Sequence, residues 1–406
     1  MRLPDADWRD SGGMGRLLRV LGAEEGRTRF VGGCVRDSLL GLPVSDVDLA
    51  TRLQPEEVIT RLKRAGIKAV PTGLAHGTVT AIVDGAPVEV TTLRRDVSTD
   101  GRRATVAFTD DWREDAARRD FTMNALSVDP VSSEIFDYFE GLPDLDVRRV
   151  CFIGDPLQRI AEDHLRILRF FRFHARFGEG EPDPQALQAC TARANDLMAL
   201  SRERIADELL KILALPDPTR TVSLMVERGI FRPVIPEIDE AGIGRLRSLV
   251  ERERIASVGP EPLRRLAALM PPRPDLAETT AARLRLSKKA VKRLVSAASR
   301  SSGDVAKPQA LAYGMGRDEA IDRILLGDEE PEAMSAKVEE LRNWKPPRFA
   351  VGGGDLIAMG LSPGPMVAQT LQAIQREWIE RGFPSDQEEM QALARLHVDQ
   401  ASRASQ

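Results

Sequence analysis

The stretch Phe30–Thr51, FVGGCVRDSLLGLPVSDVDLAT, constrains the fold more than any other part of this chain. Phe30 and Val31 lead into Gly32 and Gly33, and a short apolar run from Val35 to Leu42 follows, broken at Gly41 and Pro43. The pattern predicts a strand, a tight glycine turn, a short helix, and then a second strand carrying Asp46 and Asp48. Side chains alternate along a strand, so the two carboxylates point the same way while Val47 and Leu49 face a core.

Like charges held side by side are unfavourable without a counter-ion. A pair of divalent cations supplies one, and hard Mg²⁺ suits carboxylate oxygen. Glycines before a helix start let backbone N–H groups approach a phosphate. Either half alone is commonplace, since D-x-D occurs on solvated surfaces and Gly-Gly in ordinary turns. Together in one compact unit they are the equipment of phosphoryl or nucleotidyl transfer.

Composition bounds the rest. The chain has 406 residues, 42% of them hydrophobic and 30% charged, which suits a soluble globular protein of two to four domains. The net charge of −4 weighs mildly against a nucleic-acid binder, but a local basic patch facing phosphates is enough for binding. With 13 Phe, 4 Trp and 2 Tyr, ring stacking is not a widespread device. Cys34, Cys151 and Cys190 are widely spaced, with no C-x-x-C zinc pattern and no disulfide framework. They read as reduced thiols in a cytoplasmic protein. The polar opening MRLPDADWRD does not look like a signal peptide, and no apolar run is long enough for a membrane span.

Along the chain, residues 8–24 read as an amphipathic helix and Pro55–Ala65 as another, started by Gln54-Pro55 and ended by Gly66. Thr78–Val83 and Val88–Thr92 form a hairpin around Asp84-Gly85. Glu89 alternates with Val88 and Val90, so it either lies on a solvated face or joins Asp46 and Asp48 as a third carboxylate. The polar run 96–114, with Gly101, Arg102 and Arg103, reads as a mobile loop or flap. A helix from about Asp115 is expected to carry Arg118, Arg119, Asp120 and Asn124. Arg119 and Asp120 are adjacent and cannot share its face, so one reaches the site and the other braces it. Val128–Asp137 reads as a last strand pair, and Asp144 and Asp146 as turn chemistry.

From about residue 155 strand signals disappear. A single long helix from Asp155-Pro156 to Gly178 is expected. Its polar stripe of Asp163, Arg166, Arg169 and Arg172 winds round half its surface. Phe170, Phe171 and Phe173 fill much of the rest, so the helix is buried and its arginines need anionic partners. SRERIADELLKIL (Ser201–Leu213) reads as a capped helix with an Arg204–Glu208 pair. It serves packing, with RNA contact as the lesser reading.

GGCVRD followed by SDVDLAT, RRDFTMNA at 118–125, and E-D-x-x-R at Glu162–Arg166 together resemble the class II tRNA nucleotidyltransferase and bacterial poly(A) polymerase family. The resemblance is strong over 28–52, 118–126 and 155–176, and weak after about 235. It implies an α+β fold: a polymerase-β-like α/β head (1–150), then an all-α neck with RNA-binding helices (151–240) and a tRNA-contacting body and tail (241–406). It implies catalytic acids Asp46, Asp48 and Glu89, with two Mg²⁺ on Asp46 and Asp48. Nucleotide binding falls to Gly32, Gly33, Arg36, Arg119, Asp163, Arg166, Arg169 and Arg172. Asp163 and Arg166 act as a template: Asp accepts from the exocyclic amine of C or A and Arg donates to the ring, an edge that U and G do not offer. The implied substrates are ATP, CTP and a tRNA 3′ end. The metal-dependent His-Asp domain of some relatives has no counterpart in the four histidines.

In the last third, Arg283, Arg285, Lys288, Lys289, Lys292, Arg293 and Arg300 occur within 281–300 with no acid among them. This run is either an RNA-gripping surface or an ordinary solvated face. Gly352-Gly353-Gly354 reads as a helix-start turn, since no Lys or Thr follows as a P-loop needs. The expected activity is addition of C, C and A to tRNA. The rivals are poly(A) addition, which shares every motif, and an RNA-binding protein with an inactive head. The modest charge of the terminal QASRASQ favours CCA addition, and the intact acids and arginine stripe disfavour an inactive head. Oligomeric state has no signature here.

Overall fold

The computed structural model describes residues 1–9, 11–99 and 104–404. They divide into two compact units, 1–243 with 283–285, and 244–282 with 286–406.

The first unit is built on a seven-stranded mixed sheet. Its strands are β1 (Thr28–Val31), β2 (Val47–Thr51), β3 (Lys68–Gly73), β4 (Thr78–Val83), β5 (Ala86–Thr92), β8 (Ser127–Val128) and β9 (Ile135–Phe136), in the order β3-β4-β5-β2-β1-β8-β9. β2 and β5 are parallel and the other pairings antiparallel. Helix α3 (Pro55–Arg64) packs against β3 and β4, α1 (Gly12–Val20) against α3 and β4, and α2 (Gly33–Leu39) against β1 and β2. Val79, Ala81, Val88 and Val90 alternate along β4 and β5 into the core, and Val58 and Leu62 of α3 are at most 1% exposed. Each of these Val and Leu side chains contributes about 1.5–3 kcal/mol of burial. The hairpin turn forms as expected, with Asp84 and Gly85 both at positive φ.

Two features of this region go beyond the sequence reading. Strand β3 was not anticipated: a bulge between Val70 and Gly73 interrupts its alternation, and Pro71 lies inside it. The run 96–114 is not simply a loop. It contains a two-stranded ribbon of β6 (Arg94–Thr99) and β7 (Ala104–Phe108), followed by α4 (Trp112–Ala117). Val and Thr in both segments supply the β preference, and Gly101, Arg102 and Arg103 lie outside the described residues.

After α5 (Gly141–Asp146) the first unit becomes helical: α6 (Pro156–Glu162), α7 (Arg166–Phe177), α8 (Pro184–Ala192), α9 (Arg202–Leu213) and α10 (Thr219–Glu227). The single helix expected over 155–177 is broken. Asp163 adopts an extended conformation (φ −151°, ψ 107°). Its Oδ1 accepts from Leu165 N–H at 3.1 Å and its Oδ2 from Arg204 of α9 at 2.8 Å. A short carboxylate side chain competing for local backbone N–H is a standard way to leave a helix.

The D-x-D at Asp144 and Asp146 is helical rather than a turn. Asp144 is buried and accepts from Thr122 Oγ1 (2.7 Å) and Arg149 (2.7 Å).

The second unit holds α11 (Glu240–Ile255) from residue 244 on, α12 (Pro262–Leu269), α13 (Pro274–Arg283) to residue 282, α14 (Lys288–Ala298), α15 (Pro308–Met315), α16 (Arg317–Leu325), α17 (Pro331–Asn343), α18 (Gly353–Ala358), α19 (Pro365–Glu380) and α20 (Gln387–Ala404). The glycine run at 352–354 does start a helix, with Asp355 Oδ2 accepting from Gly352 N–H at 2.8 Å. Leu356, Ile374, Trp378 and Leu393 centre the core of its C-terminal half.

Candidate active site

In the first unit, β1 delivers the chain to Gly32, whose φ of +73° makes the turn into α2. A methyl group there would meet Arg119 Nη1 at 2.8 Å. The glycine is therefore required twice, by the left-handed backbone and by the guanidinium against it.

On the next strand Asp48 sits opposite Glu89 in the parallel β2–β5 pairing, so the two carboxylates project from one face of the sheet. Burial, then the charges of Glu89 and Asp46, push the Asp48 carboxyl up, and Arg119 opposes them. Asp46 is exposed, just before the strand, and accepts from Ser45 Oγ at 2.9 Å.

Arg119 and Asp120 do not lie on a helix starting at Asp115. α4 starts earlier, with Asp111 accepting from Arg113 N–H at 2.7 Å, and ends at Ala117. Beyond its end, Asp115 holds Arg118 (2.9 Å) and Arg119 (3.5 Å). Asp120 is buried and takes Asn124 Nδ2 (3.0 Å), its neighbour Phe121 N–H (2.9 Å) and the Arg169 guanidinium (Nε at 2.7 Å). Burial alone would raise the Asp120 carboxyl, but Arg169 and these bonds outweigh it and hold it below the usual range. Arg119 and Asp120 both line the same cavity, Arg119 tied to Asp115 and Asp120 to Arg169 and Asn124.

Arg36 is buried. It donates to Asp37 (2.8 Å) and to Asn124 Oδ1 (2.5 Å), with its guanidinium 4.1 Å from the Phe177 ring centre. Its contacts tie α2 to the Asn124 turn. Burial lowers its pKa, against Asp37, which raises it.

A cavity of about 420 Å³ opens between these elements. Gly32, Gly33, Arg36, Asp48, Arg119, Asp163, Arg166 and Arg169 all line it. Asp46, Glu89 and Arg172 do not. Arg172 instead points at Glu208 of α9, 2.6 Å away.

Asp163 and Arg166 are each held by a third party rather than by one another. Arg166 Nη1 donates to Glu162 (2.5 Å) and to Arg159 C=O (2.8 Å), and its Nη2 to Arg118 C=O (3.2 Å). The expected Arg204–Glu208 pair is replaced by Arg204–Asp163 and Arg172–Glu208, because α9 packs against α7. Arg204 also lines the cavity, and its Nη1 is buried without a hydrogen-bond partner.

The chain matches the family model described as the poly A polymerase head domain over residues 28–151. It also matches the one described as a probable RNA and SrmB-binding site of polymerase A, over 181–241. It is 33% identical over 394 residues to the mouse mitochondrial CCA tRNA nucleotidyltransferase 1, covering 93% of this chain and 88% of that protein. The chain belongs to the tRNA nucleotidyltransferase and poly(A) polymerase family. The CCA-adding enzyme of Limosilactobacillus fermentum is 30% identical over 367 residues, with 88% and 90% of the two chains covered. The Bacillus stearothermophilus CCA-adding enzyme, solved in complex with CTP, superposes with a TM-score of 0.75 at 27% identity over 97% of this chain and all of that one. The α+β fold expected from the family's motifs is the fold observed.

Within this family fold, sequence reasoning missed Arg204, Glu162 and Asp115 as holders of the cavity's charged groups. The available signal was composition: three arginines on the helix expected to be buried at 166–172 needed anions, and SRERIADELL was the neighbouring helix rich in both signs.

Proposed function

We propose that this protein adds C, C and A in turn to the 3′ end of tRNA, taking CTP and ATP as substrates. The observation that carries the proposal is one cavity lined both by Asp48, beside Glu89, and by the Asp163–Arg166 pair with Arg169 and Arg119. The RNA 3′-hydroxyl oxygen attacks the α-phosphorus, the bond to the bridging oxygen breaks, and pyrophosphate leaves while the hydroxyl proton passes to water. Gly33, Arg36 and Arg119 face the triphosphate, an Arg fork suiting phosphate oxygens. Asp163 keeps acceptor capacity beyond Arg204 and Leu165 N–H, because an ionised carboxylate offers about four lone-pair sites. It accepts the amine of C or A while Arg166 donates to the ring. Arg169 lines the same cavity, and Arg172, outside it, holds Glu208 of α9.

The residues suit two Mg²⁺ ions at Asp46 and Asp48. Among the described residues no three acidic, His or Cys side chains converge as a ready-made cation cage. Mg²⁺ characteristically takes one or two carboxylates and completes its shell with substrate phosphates and water, and the repulsion at Asp48 from Glu89 and Asp46 is a deficit of positive charge. When bound, such ions lower the pKa of the 3′-hydroxyl and stabilise the departing pyrophosphate. Glu89 is the third acid of this reading.

By residue, 1–150 serves as the catalytic head, 151–240 as the neck and 241–406 as the tRNA-contacting body and tail. Of the basic run, Lys288, Lys289 and Lys292 are exposed and available to RNA phosphates. Arg283, Arg285 and Arg293 are paired with Glu237 (2.7 Å), Glu203 (2.8 Å) and Asp322 (2.6 Å), which makes them weaker RNA contacts. A cytoplasmic site of action suits the three free cysteines, although the mouse relative is named mitochondrial. No helix among the described residues is long and apolar enough to cross a membrane.

The test is incubation with tRNA lacking its 3′ CCA, Mg²⁺, CTP and ATP, followed by sequencing of the products. Addition of C, C, A and then arrest is expected; a homopolymeric A tail would establish poly(A) addition instead.

A further inference from the structure

The second unit treats its arginines in two ways. Arg264 and Arg265 are 2% exposed and end on Glu253 at 2.6 and 2.8 Å, and Arg264 and Arg293 also reach Asp322. Each of these cations meets a carboxylate, which offsets the cost of its desolvation.

Arg252 and Arg300 differ. Arg252 is 8% exposed and donates to the carbonyls of Leu325 (2.9 Å), Ile324 (3.3 Å) and Glu329 (2.5 Å). Arg300, half-buried just beyond α14, donates one N–H to Ala297 C=O at 3.2 Å. Among the described residues neither forms a salt bridge. Carbonyls fix a guanidinium in place without neutralising it.

Both face open volume. A cavity of about 460 Å³ is lined by Arg245, Arg300, Ser301, Ser302, Asp328 and their neighbours. A smaller one of about 90 Å³ shares Arg245, Arg300 and Asp328 and adds Arg252. Arg245 is anchored on the carbonyls of Ala268 (2.8 Å) and Leu269 (3.2 Å). Asp328 faces these cations, while the Glu329 carboxylate turns to Lys337 at 2.7 Å. Burial, then the like charge of Arg245, depress the Arg300 pKa, with Asp328 opposing.

The rim is held firmly. Asp304 accepts from Ser301 N–H and Oγ, both at 2.9 Å, and Arg323 clamps Asp304 at 2.6 Å and Ser299 C=O at 2.8 Å. This holds the Arg300–Ser302 segment at the cavity mouth. A guanidinium has five N–H donors in a fixed fork, and Arg300 spends one on Ala297.

We infer that the larger cavity seats a phosphate group, gripped by the Arg300 fork with Arg245 and Ser302 around it and Arg252 lining the smaller cavity beside it. Its two available sources are a backbone phosphodiester of bound RNA and free inorganic phosphate or pyrophosphate. The site needs no catalysis in the first unit, so it stands or falls apart from the proposed activity.

The test measures stabilisation of the full chain by inorganic phosphate against chloride at matched ionic strength, for the unaltered protein and for Arg300→Gln. Phosphate bound in the first unit's cavity is common to both, so the difference isolates this site. The phosphate dissociation constant read from the shift rises about ten-fold in Arg300→Gln. Equal phosphate responses in the two proteins overturn the inference. A readout independent of substitution is the Arg300 Nε–H resonance in the unaltered protein: phosphate shifts it, and an unmoved resonance likewise overturns the site. Binding of tRNA lacking CCA then separates the sources. If RNA supplies the phosphate, the salt slope of tRNA binding falls by about one in Arg300→Gln. An unchanged slope beside a lost phosphate response assigns the site to free phosphate.

Discussion

The cavity of the first unit and the ionic core of the second use the same side chains to opposite ends. Around Asp48 and Asp163, Arg36, Arg119, Arg166 and Arg169 are steadied by carboxylates or carbonyls and line about 420 Å³ of open volume. In the second unit Arg264, Arg265, Glu253 and Asp322 are 1–2% exposed and spend their charge on each other. An ion pair that leaves one edge uncovered is poised to bind. One that is fully closed contributes register and rigidity, and removing one partner leaves a buried charge uncompensated.

The largest effect separating the two regions is on chemistry. Asp48→Asn is expected to lower nucleotide incorporation by about a thousand-fold or more, since it removes a proposed metal carboxylate. Its melting temperature should equal or exceed that of the unaltered protein, because a repelled, partly buried charge is gone. Near-normal incorporation would break the comparison from the catalytic side.

The closed core should give the reverse outcome. Glu253→Gln removes the charge of the carboxylate that Arg264 and Arg265 share, and a loss of about 3–5 kcal/mol is expected in denaturant unfolding of the second unit. Nucleotide affinity, read by CTP titration under folding conditions, should stay unchanged.

Asp120 bridges both behaviours, being buried yet part of the cavity wall. Its pKa is depressed, so its stabilisation is present above the ordinary carboxylate range and lost as pH falls through the lowered value. The first unit should therefore weaken progressively below about pH 4. Asp120→Asn should lose about 1–3 kcal/mol at neutral pH and show a flatter acid limb in pH-dependent melting. An acid limb identical to that of the unaltered protein would remove Asp120 from the explanation.

The smallest expected effect sharpens the role of the backing residues. Arg204→Met frees Asp163 from its 2.8 Å tether. Discrimination for CTP over UTP should then fall about ten-fold, with stability changed by less than about 1 kcal/mol. Unchanged discrimination would make the tether purely structural.

The head was largely legible because its signals are local: Gly32 before a helix, alternation around Asp48, Asp84-Gly85 between two β-rich runs. The register that sets Glu89 beside Asp48 was not, since it depends on which strands neighbour each other. The break at Asp163 was hidden for a similar reason. Helical pattern runs straight through 155–177, and only a bond from Arg204, forty-one residues on, reveals why the chain leaves the helix. Likewise Arg204 and Glu208 looked like an i, i+4 pair, but Asp163 at the helix break and Arg172 of α7 offered them better partners. The basic run at 281–300 looked uniform in sequence, yet Arg283, Arg285 and Arg293 are engaged by Glu237, Glu203 and Asp322, Arg300 donates to a carbonyl, and the three lysines are exposed. Partner choice across helices is a tertiary outcome, and charge counting does not see it.

The central claim is that side chains, with no nucleic-acid template, select the incoming base. Its most direct measurement is kcat/KM for CTP, ATP and UTP on tRNA lacking CCA, compared between the unaltered protein and Asp163→Ala. Collapse of the preference for CTP and ATP over UTP, with the Asp48-dependent chemistry still running, is the predicted result. A preference that survives the loss of Asp163 would contradict it.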